Sequence, residues 1–190
     1  MKLGLFLLRT ITGGLFFGHG MQKLAGWFGG YGLDATAKGF HGMGLRPGKA
    51  HAVAAGAAEA GGGLLLALGL DTPFAAMLIS GTMATAIRKV HLPNGVWAAQ
   101  GGYEFNLALM AIVFAIADVG PGDWSLDAAR GHVHRGPAWA LAQLVGGLIG
   151  STAAIELGSR FPDDASPAEG EAASSDGSEA AGTEATTATA

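Results

Sequence analysis

Five long apolar segments constrain this chain more than any other feature of its sequence. A helix needs about 17 to 25 mostly apolar residues to cross the hydrocarbon core of a bilayer, and somewhat fewer where flanking side chains reach the headgroups. The chain is 49% hydrophobic and 14% charged, whereas soluble domains contain about 25% charged residues. The sequence therefore predicts an all-α, membrane-embedded helical bundle with four core transmembrane helices and a fifth. The segments are residues 3–24, 51–70, 73–90, 103–119 and 137–157.

Glycine and proline mark where several of these segments begin and end. Thr72 followed by Pro73 predicts an N-cap and a first helical residue, because proline costs little at a position whose N–H has no intrahelical acceptor. Residues 120–122, Gly-Pro-Gly, cannot continue a helix and end the fourth segment. Gly136 and Pro137 mark the start of the fifth segment in the same way as Thr72 and Pro73 mark the start of the third.

The N-terminus has some features of a secretory signal peptide. Residues 1–20 contain a basic residue and an apolar run. However, Arg9 interrupts that run, and no small-x-small cleavage site follows it. We therefore interpret the first segment as an uncleaved membrane span.

Composition divides the chain into three parts. Residues 1–130 are predicted to form a bundle of four membrane helices, and residues 131–161 an additional transmembrane or interfacial helix. Residues 162–190 contain seven Asp or Glu residues, no Lys or Arg, and no aromatic or large aliphatic residue. Such a segment cannot bury enough apolar surface to offset its chain entropy, so we predict a disordered acidic tail.

Small residues recur four positions apart in three of the apolar segments. Lipid provides no hydrophobic force between helices, so membrane helices associate through close backbone contact at small residues. The pattern predicts packing faces, and a face for homo-oligomer formation, at Gly14 and Gly18, at Ala52, Gly56 and Ala60, and at Gly146 and Gly150.

The connection between the first two segments is long enough to hold structure of its own. Leu33, Ala37 and Phe40 recur at helical spacing around Asp34, which predicts a short interfacial helix. Aromatic residues in this connection and in the third one fit an aromatic belt at the membrane boundary, and the alternative is ordinary loop aromatics. These residues are Trp27, Phe28, Tyr31, Trp97 and Tyr103.

The positive charges indicate an orientation. If all five segments span, seven Lys or Arg residues fall on one side of the membrane and three on the other. The positive-inside rule then places the first and third connections and the tail in the cytoplasm. If the fifth segment lies on the surface instead, both termini share one side. The predicted location is the cell membrane, with the chain as a multi-pass protein in contact with the lipid bilayer.

Several kinds of site are missing from the sequence. The absence of cysteine excludes a disulfide framework, a thiolate metal site and an Fe–S cluster. There is no phosphate loop or dinucleotide fingerprint, and the basic residues lack the pattern of a nucleic-acid-binding surface. His132 and His134 are too close in sequence to define a haem or metal site. We predict no metal site, no haem or nucleotide cofactor and no nucleic-acid partner.

Two ionisable residues fall within predicted spans. Arg9 lies in the first segment and Glu59 near the middle of the second. A charge at the centre of a span costs about 2.5 to 3.5 kcal/mol, so such residues usually face a partner or a wet cavity. One interpretation is a polar pocket. The other is that Arg9 pairs with Glu59 while cations at the helix ends reach the headgroups.

Further polar residues are predicted to converge on the end of the bundle shared by the first and third connections, with Arg9 lying deepest. His19 and Lys23 follow Arg9 on one side of the first helix. We expect a pocket for a quinone-like or anionic ligand, in which Glu59 and His19 are catalytic residues that move protons. The expected ligand-binding residues are Arg9, Lys23, Arg88, Glu104 and Asn106.

Stretches within residues 4–127 resemble the DoxX family of membrane proteins. Residues 7–9 and 17–24, the latter Phe-Gly-His-Gly-Met-Gln-Lys-Leu, are similar to the family's first helix. Glu59 and the Gly-Gly-Leu-Leu-Leu run after it resemble the second-helix signature. Residues 102–104 and 120–127 are similar to the start of the fourth helix and the turn after it.

The resemblance implies a four-helix membrane bundle associated with a membrane oxidoreductase system, since the family takes its name from subunits of terminal quinol oxidase and thiosulfate:quinone oxidoreductase complexes. It implies a site at Arg9, His19, Lys23, Glu59 and Glu104 and a redox-enzyme partner subunit. Because the sequence has no redox centre of its own, electrons would come from a bound quinone or from that partner. The alternatives are a non-catalytic scaffold that docks partner subunits and a small transporter gated by Arg9 and Glu59.

Overall fold

The structure, a computed structural model that describes residues 3–161, is all-α over that range, which confirms the predicted fold class. Each apolar segment forms a helix, and so does the segment around Asp34. α4 continues through a π-helical turn at Ile87–His91. The predicted acidic tail, residues 162–190, lies outside the described residues. The helices are α1 Leu3–Ala25, α2 Gly32–Gly42, α3 Gly48–Leu68, α4 Thr72–Ala86, α5 Glu104–Val119, α6 Leu126–Ala129 and α7 Pro137–Ser159.

α4 is the central helix of the bundle. It packs against α3, α5 and α7, while α1 packs along α3 and α2 covers part of α3. The buried core surrounds Ile79 of α4 and includes Phe16 of α1, Leu66 of α3 and Ile116 of α5. Because α7 packs along α4, it is an integral part of the helical bundle.

Glycine allows α1 and α3 to approach closely. A methyl group at Gly13 would clash with the backbone of Gly63, and one at Gly20 would clash with Ala60. A methyl group at Gly56 would in turn clash with the side chain of Leu24. Contact of this kind is what holds membrane helices together, so the predicted packing role of Gly56 and Ala60 is confirmed.

The small-residue pattern was wrong about which glycines of α1 pack inside the chain. A side chain at Gly14 would meet nothing within 4 Å among the described residues, and one at Gly18 only a ring carbon of Phe28 at 3.9 Å. A four-residue spacing shows that small residues share one helix face, but it does not show which helix packs against that face. In α1 the face with Gly13 and Gly20 packs against α3 instead. The role of Gly14 and Gly18 in a homo-oligomer stays a prediction.

The turn between α3 and α4 is stabilised by a side chain from far along the chain. Gly69 ends α3 with φ of 64°, a conformation that favours glycine. The N-cap of α4 is Asp71, so the predicted N-cap, Thr72, is instead the first helical residue. The carboxylate of Asp127 accepts hydrogen bonds from the backbone N–H of Asp71 at 2.8 Å and of Thr72 at 3.1 Å. A carboxylate supplied by the α6 segment therefore caps α4.

Two helices within residues 3–161 are long and apolar enough to cross a membrane, Gly48–Leu68 and Pro137–Ser159. α5 has 16 residues, fewer than the roughly 20 of a typical span, and α1 and α4 are not among the two helices that qualify, so four core spans are not confirmed. The outer faces of the bundle are nevertheless apolar. Ile11 is 60% exposed and Ile149 is 64% exposed, and a surface of this kind suits contact with lipid.

Candidate functional site

A cavity of about 580 Å³ lies within the bundle. Side chains from α1, α3, α4, α5 and α7 line it, together with residues from α2 and the connection that follows it. Most lining residues are Gly, Ala, Leu, Met or Phe. A cavity of this size and composition is typical of sites for small organic ligands. Its ionisable and amide side chains are His19, Lys23, His51, Glu59, Lys89, His91 and Asn106.

Lys23 and Glu59 form an ion pair at this cavity. Lys23 Nζ lies 2.5 Å from Glu59 Oε2, joining α1 to α3. The contact is possible because Gly20 lies against the backbone of α3, so that the two helices approach closely one turn from Lys23. The Glu59 side chain is 6% exposed and that of Lys23 is 26% exposed. A mostly buried carboxylate is therefore neutralised by a cation that keeps contact with the outside.

Two polar oxygen atoms at the cavity have no hydrogen-bond partner among residues 3–161. Glu59 Oε2 accepts from Lys23, whereas Oε1 makes no such bond. The amide nitrogen of Asn106 donates to the sulfur of Met83 at 3.4 Å, and its oxygen accepts no described donor. Both residues are buried, at 5% and 8% exposure of the whole residue. Neither oxygen is among the fully enclosed side-chain atoms without a partner in residues 3–161, so both stay accessible at the cavity and are candidates for contact with a ligand.

His19 lies at the outer end of the predicted site. It is exposed, and its Nδ1 lies 3.1 Å from Oε1 of Gln22. Its backbone carbonyl is 3.5 Å from Lys23 Nζ. His19 therefore borders both solvent and the ion pair, which is the location that proton exchange with water requires.

The structure brings together four of the seven residues predicted for the site and separates three. His19, Lys23, Glu59 and Asn106 line the cavity, whereas Arg9, Arg88 and Glu104 do not. Arg88 donates to the hydroxyl of Thr152 at 3.0 Å and so links the end of α4 to α7. Glu104 accepts from the backbone N–H of Ala98 at 2.9 Å and so stabilises the third connection.

Arg9 lies at the opposite end of the bundle. It is 1% exposed, and its guanidinium donates to the carbonyl of Leu66 at 3.2 Å and to that of Trp124 at 2.6 Å. The centroid of the Phe6 ring lies 5.8 Å from the guanidinium carbon. Arg9 therefore ties α1 to the end of α3 and to the segment before α6.

The predicted pair of Arg9 with Glu59 is wrong. Glu59 is paired with Lys23, and Arg9 binds backbone carbonyls instead. Carbonyl groups at the end of a helix attract cations, and the Leu66 carbonyl accepts from Arg9 in addition to the backbone N–H of Gly69 that caps α3. The hypothesis of a small transporter gated by an Arg9–Glu59 pair is therefore not supported by these contacts.

Sequence reasoning missed two parts of this arrangement. Asp127 was noted only within a family-like turn, and the available signal was the run Asp-Trp-Ser-Leu-Asp at residues 123–127, whose polar residues lead into the start of α6. The second part is α7, which contributes Ser151 and several small residues to the cavity wall. Its small-residue spacing was visible in the sequence, but that spacing does not reveal whether a face meets a helix or a cavity.

Comparison with known proteins relates the N-terminal part of the chain to a protein family. Residues 4–92, just under half of the 190-residue chain, match the DoxX family model. This range runs from α1 through α4 and its π-helical turn and contains His19, Lys23 and Glu59, but neither Asn106 nor α7. No curated protein and no solved structure matches the chain.

Proposed function

We propose that this chain, a DoxX family membrane protein through residues 4–92, is a multi-pass subunit of a membrane oxidoreductase system and binds a quinone in the cavity beside Lys23 and Glu59. The observation that carries the proposal is an apolar cavity of about 580 Å³ whose wall contains an ion pair between the buried Glu59 and the partly exposed Lys23. A quinone has a flat, neutral ring with two carbonyl oxygens and an apolar chain. The cavity offers a matching combination of donors and apolar surface.

The charges around the cavity favour a neutral ligand over a small anion. An anion needs cations whose charge is not already neutralised. Lys23 is paired with Glu59, while Arg9 and Arg88 bind oxygen atoms elsewhere. Lys89 also lines the cavity and leaves one positive charge there once Lys23 and Glu59 cancel, but a single flexible, strongly hydrated ammonium lacks the fixed, paired donors that hold an anion tightly. A ligand with carbonyl acceptors fits this set better than a carboxylate or phosphate does.

The proposed reaction assigns proton transfer to this chain and electron transfer to another. Reduction of a quinone to a quinol consumes two electrons and two protons. Because the sequence offers no redox centre, the electrons come from a partner subunit that carries one. Lys23 donates a hydrogen bond to a ring oxygen, and Glu59 delivers protons through its unpartnered Oε1. His19, which borders solvent, resupplies Glu59.

The test is quinone content and binding in the purified full-length protein. Wild-type protein from native membranes, held in lipid nanodiscs, is extracted with organic solvent and its quinone is measured per chain. Glu59→Gln and Lys23→Met are expected to lower the quinone content, and Arg88→Gln, outside the cavity, is the matched control. Wild-type protein that contains no quinone and takes up none when it is added would reject the proposal.

The same preparation separates the alternatives. A stable complex with a partner subunit that persists in both cavity variants, without bound quinone, favours a non-catalytic scaffold. Solute uptake into liposomes that contain the purified chain favours transport. Quinone that is lost from both cavity variants while the control keeps it supports the proposed function.

A further inference from the structure

α7 forms one wall of the cavity, although it lies outside the residues that match the family. The residues it contributes are Gly146, Gly147, Gly150, Ser151 and Ala154. None is charged, and the one polar side chain, Ser151, already forms a hydrogen bond to Thr85 at 3.0 Å. This wall therefore offers apolar surface and no charged partner, in contrast to α1 and α3, which supply the ion pair.

Hydrogen bonds fix the position of this wall relative to α4. Ser80 donates to the side-chain oxygen of Gln143 at 2.8 Å, and both residues are buried. The bond between Thr85 and Ser151 repeats this contact further along the same interface. Between them, a methyl group at Gly147 would lie 2.9 Å from the backbone nitrogen of Gly81. α7 is held firmly enough to shape a binding site.

Among the three glycines of this wall, Gly150 alone adjoins open space. A methyl group at Gly146 would meet the sulfur of Met77 at 2.5 Å, and one at Gly147 would meet α4. A methyl group at Gly150 would meet nothing within 4 Å of the described residues, although Gly150 lines the cavity. Gly150 is also exposed at the surface of the bundle. Gly150 therefore borders both the cavity and the outer surface of the bundle.

We propose that the hydrocarbon chain of the bound quinone packs against α7 and leaves the cavity past Gly150, whose missing side chain keeps the passage open. This inference rests on the proposed function, because it takes the quinone ring to lie at Lys23 and Glu59. Apolar surface attracts the chain, and the ion pair attracts the ring oxygens. The surrounding bilayer accepts the part of the chain that extends beyond the bundle.

The test compares two probes in the full-length protein held in nanodiscs. One is a methylated benzoquinone without a chain, and the other is the same ring with a ten-carbon alkyl chain. Gly150→Leu is expected to weaken binding of the chain-bearing probe roughly tenfold, as follows if about two methylene groups lose their burial. Binding of the chainless probe is expected to stay unchanged. Gly150→Val should produce the same selective loss and provides a second variant if the leucine variant is unstable.

Gly14→Leu is the matched control, because Gly14 is an exposed helical glycine with free space beside it and lies outside the cavity. It should bind both probes as the wild type does. Equal binding of the chain-bearing probe by wild type and Gly150→Leu would overturn the inference, and so would an equal loss of both probes, which would place the ring at α7. If wild type binds neither probe, the proposed function itself fails.

Discussion

Lys23 Nζ lies 2.5 Å from Glu59 Oε2, yet the two partners differ in burial: the Glu59 side chain is 6% exposed and the Lys23 side chain 26%. A buried charge without a partner is costly, whereas a long cationic side chain near the surface can turn its head outward. The pair is therefore asymmetric. Removing Lys23 leaves a buried carboxylate without a partner, whereas removing Glu59 leaves a lysine that can reach solvent, so the two losses of stability differ.

This asymmetry predicts unequal effects of the two neutralising substitutions. Lys23→Met leaves the Glu59 carboxylate buried and unpaired and should lower the free energy of unfolding by about 1 to 3 kcal/mol. Glu59→Gln leaves a lysine that can reach solvent and should cost less. Thermal unfolding in detergent measures both, and the double variant should recover part of the loss. A larger loss for Glu59→Gln would contradict the assigned burial.

Substitution of Arg9 is expected to lower the stability of the protein without lowering quinone binding. Arg9→Lys replaces a planar fork that bonds Leu66 and Trp124 with a single ammonium that cannot reach both carbonyls in the same way. The free energy of unfolding should fall by about 2 to 4 kcal/mol. Quinone bound per folded chain should not change, because Arg9 lies outside the cavity.

Arg88→Lys is the control for Arg9, since it makes the same chemical change at an exposed site. Its effect on stability should stay within about 0.5 kcal/mol. Normal stability combined with lost quinone binding in Arg9→Lys would instead assign Arg9 a direct role at the ligand, as the sequence suggested.

Adjacent glycines of α1 are predicted to respond in opposite directions to alanine. A methyl group at Gly13 would lie 2.9 Å from the backbone Cα of Ala67, so Gly13→Ala forces α1 away from α3 and should cost about 1 to 3 kcal/mol. Gly14 has free space beside it, and Gly14→Ala should gain up to about 1 kcal/mol from helix propensity. Thermal unfolding of the two variants provides the comparison. A loss at Gly14 would show that this face packs against a second chain.

The helices were predictable because long apolar segments and Gly-Pro punctuation are local signals. Four of the residues that line the cavity were predictable because ionisable or amide groups on apolar helices have few low-cost places to go. The cost of an exposed charge in lipid places Glu59 toward the interior of the bundle but does not determine which cation pairs with it. Lys23 and Arg9 are both cations on α1, and only the packing at Gly20 decides that Lys23 is the one adjacent to Glu59.

The partners of Arg9 were not predictable for a different reason. It binds two backbone carbonyls, and every residue has such a group, so the sequence does not mark them. The cap that Asp127 provides for α4 depends on a contact between residues far apart in the chain. The position of α7 beside the cavity likewise follows from tertiary packing rather than from any local pattern.

The placement of α7 predicts which connections share a side of the membrane. A methyl group at Gly158 would lie 3.0 Å from Cα of Leu45, so the end of α7 adjoins the connection between α2 and α3. His132 lies at the other end of the bundle, since its backbone N–H binds the carbonyl of Asp127. If α7 spans the bilayer, Ser159 is on the same side as the first connection, and His132 is on the opposite side.

Single cysteines can test this arrangement directly, because the chain has none of its own. Lys38→Cys, Ala98→Cys and Ser159→Cys should all react from the cytoplasmic side with a membrane-impermeant thiol reagent, as the distribution of positive charge predicts. His132→Cys should react only from the other side. Labelling of Ser159→Cys together with His132→Cys would mean that α7 does not span. That result would also be inconsistent with the contact between Gly158 and Leu45, and so with the position of α7 as a wall of the cavity.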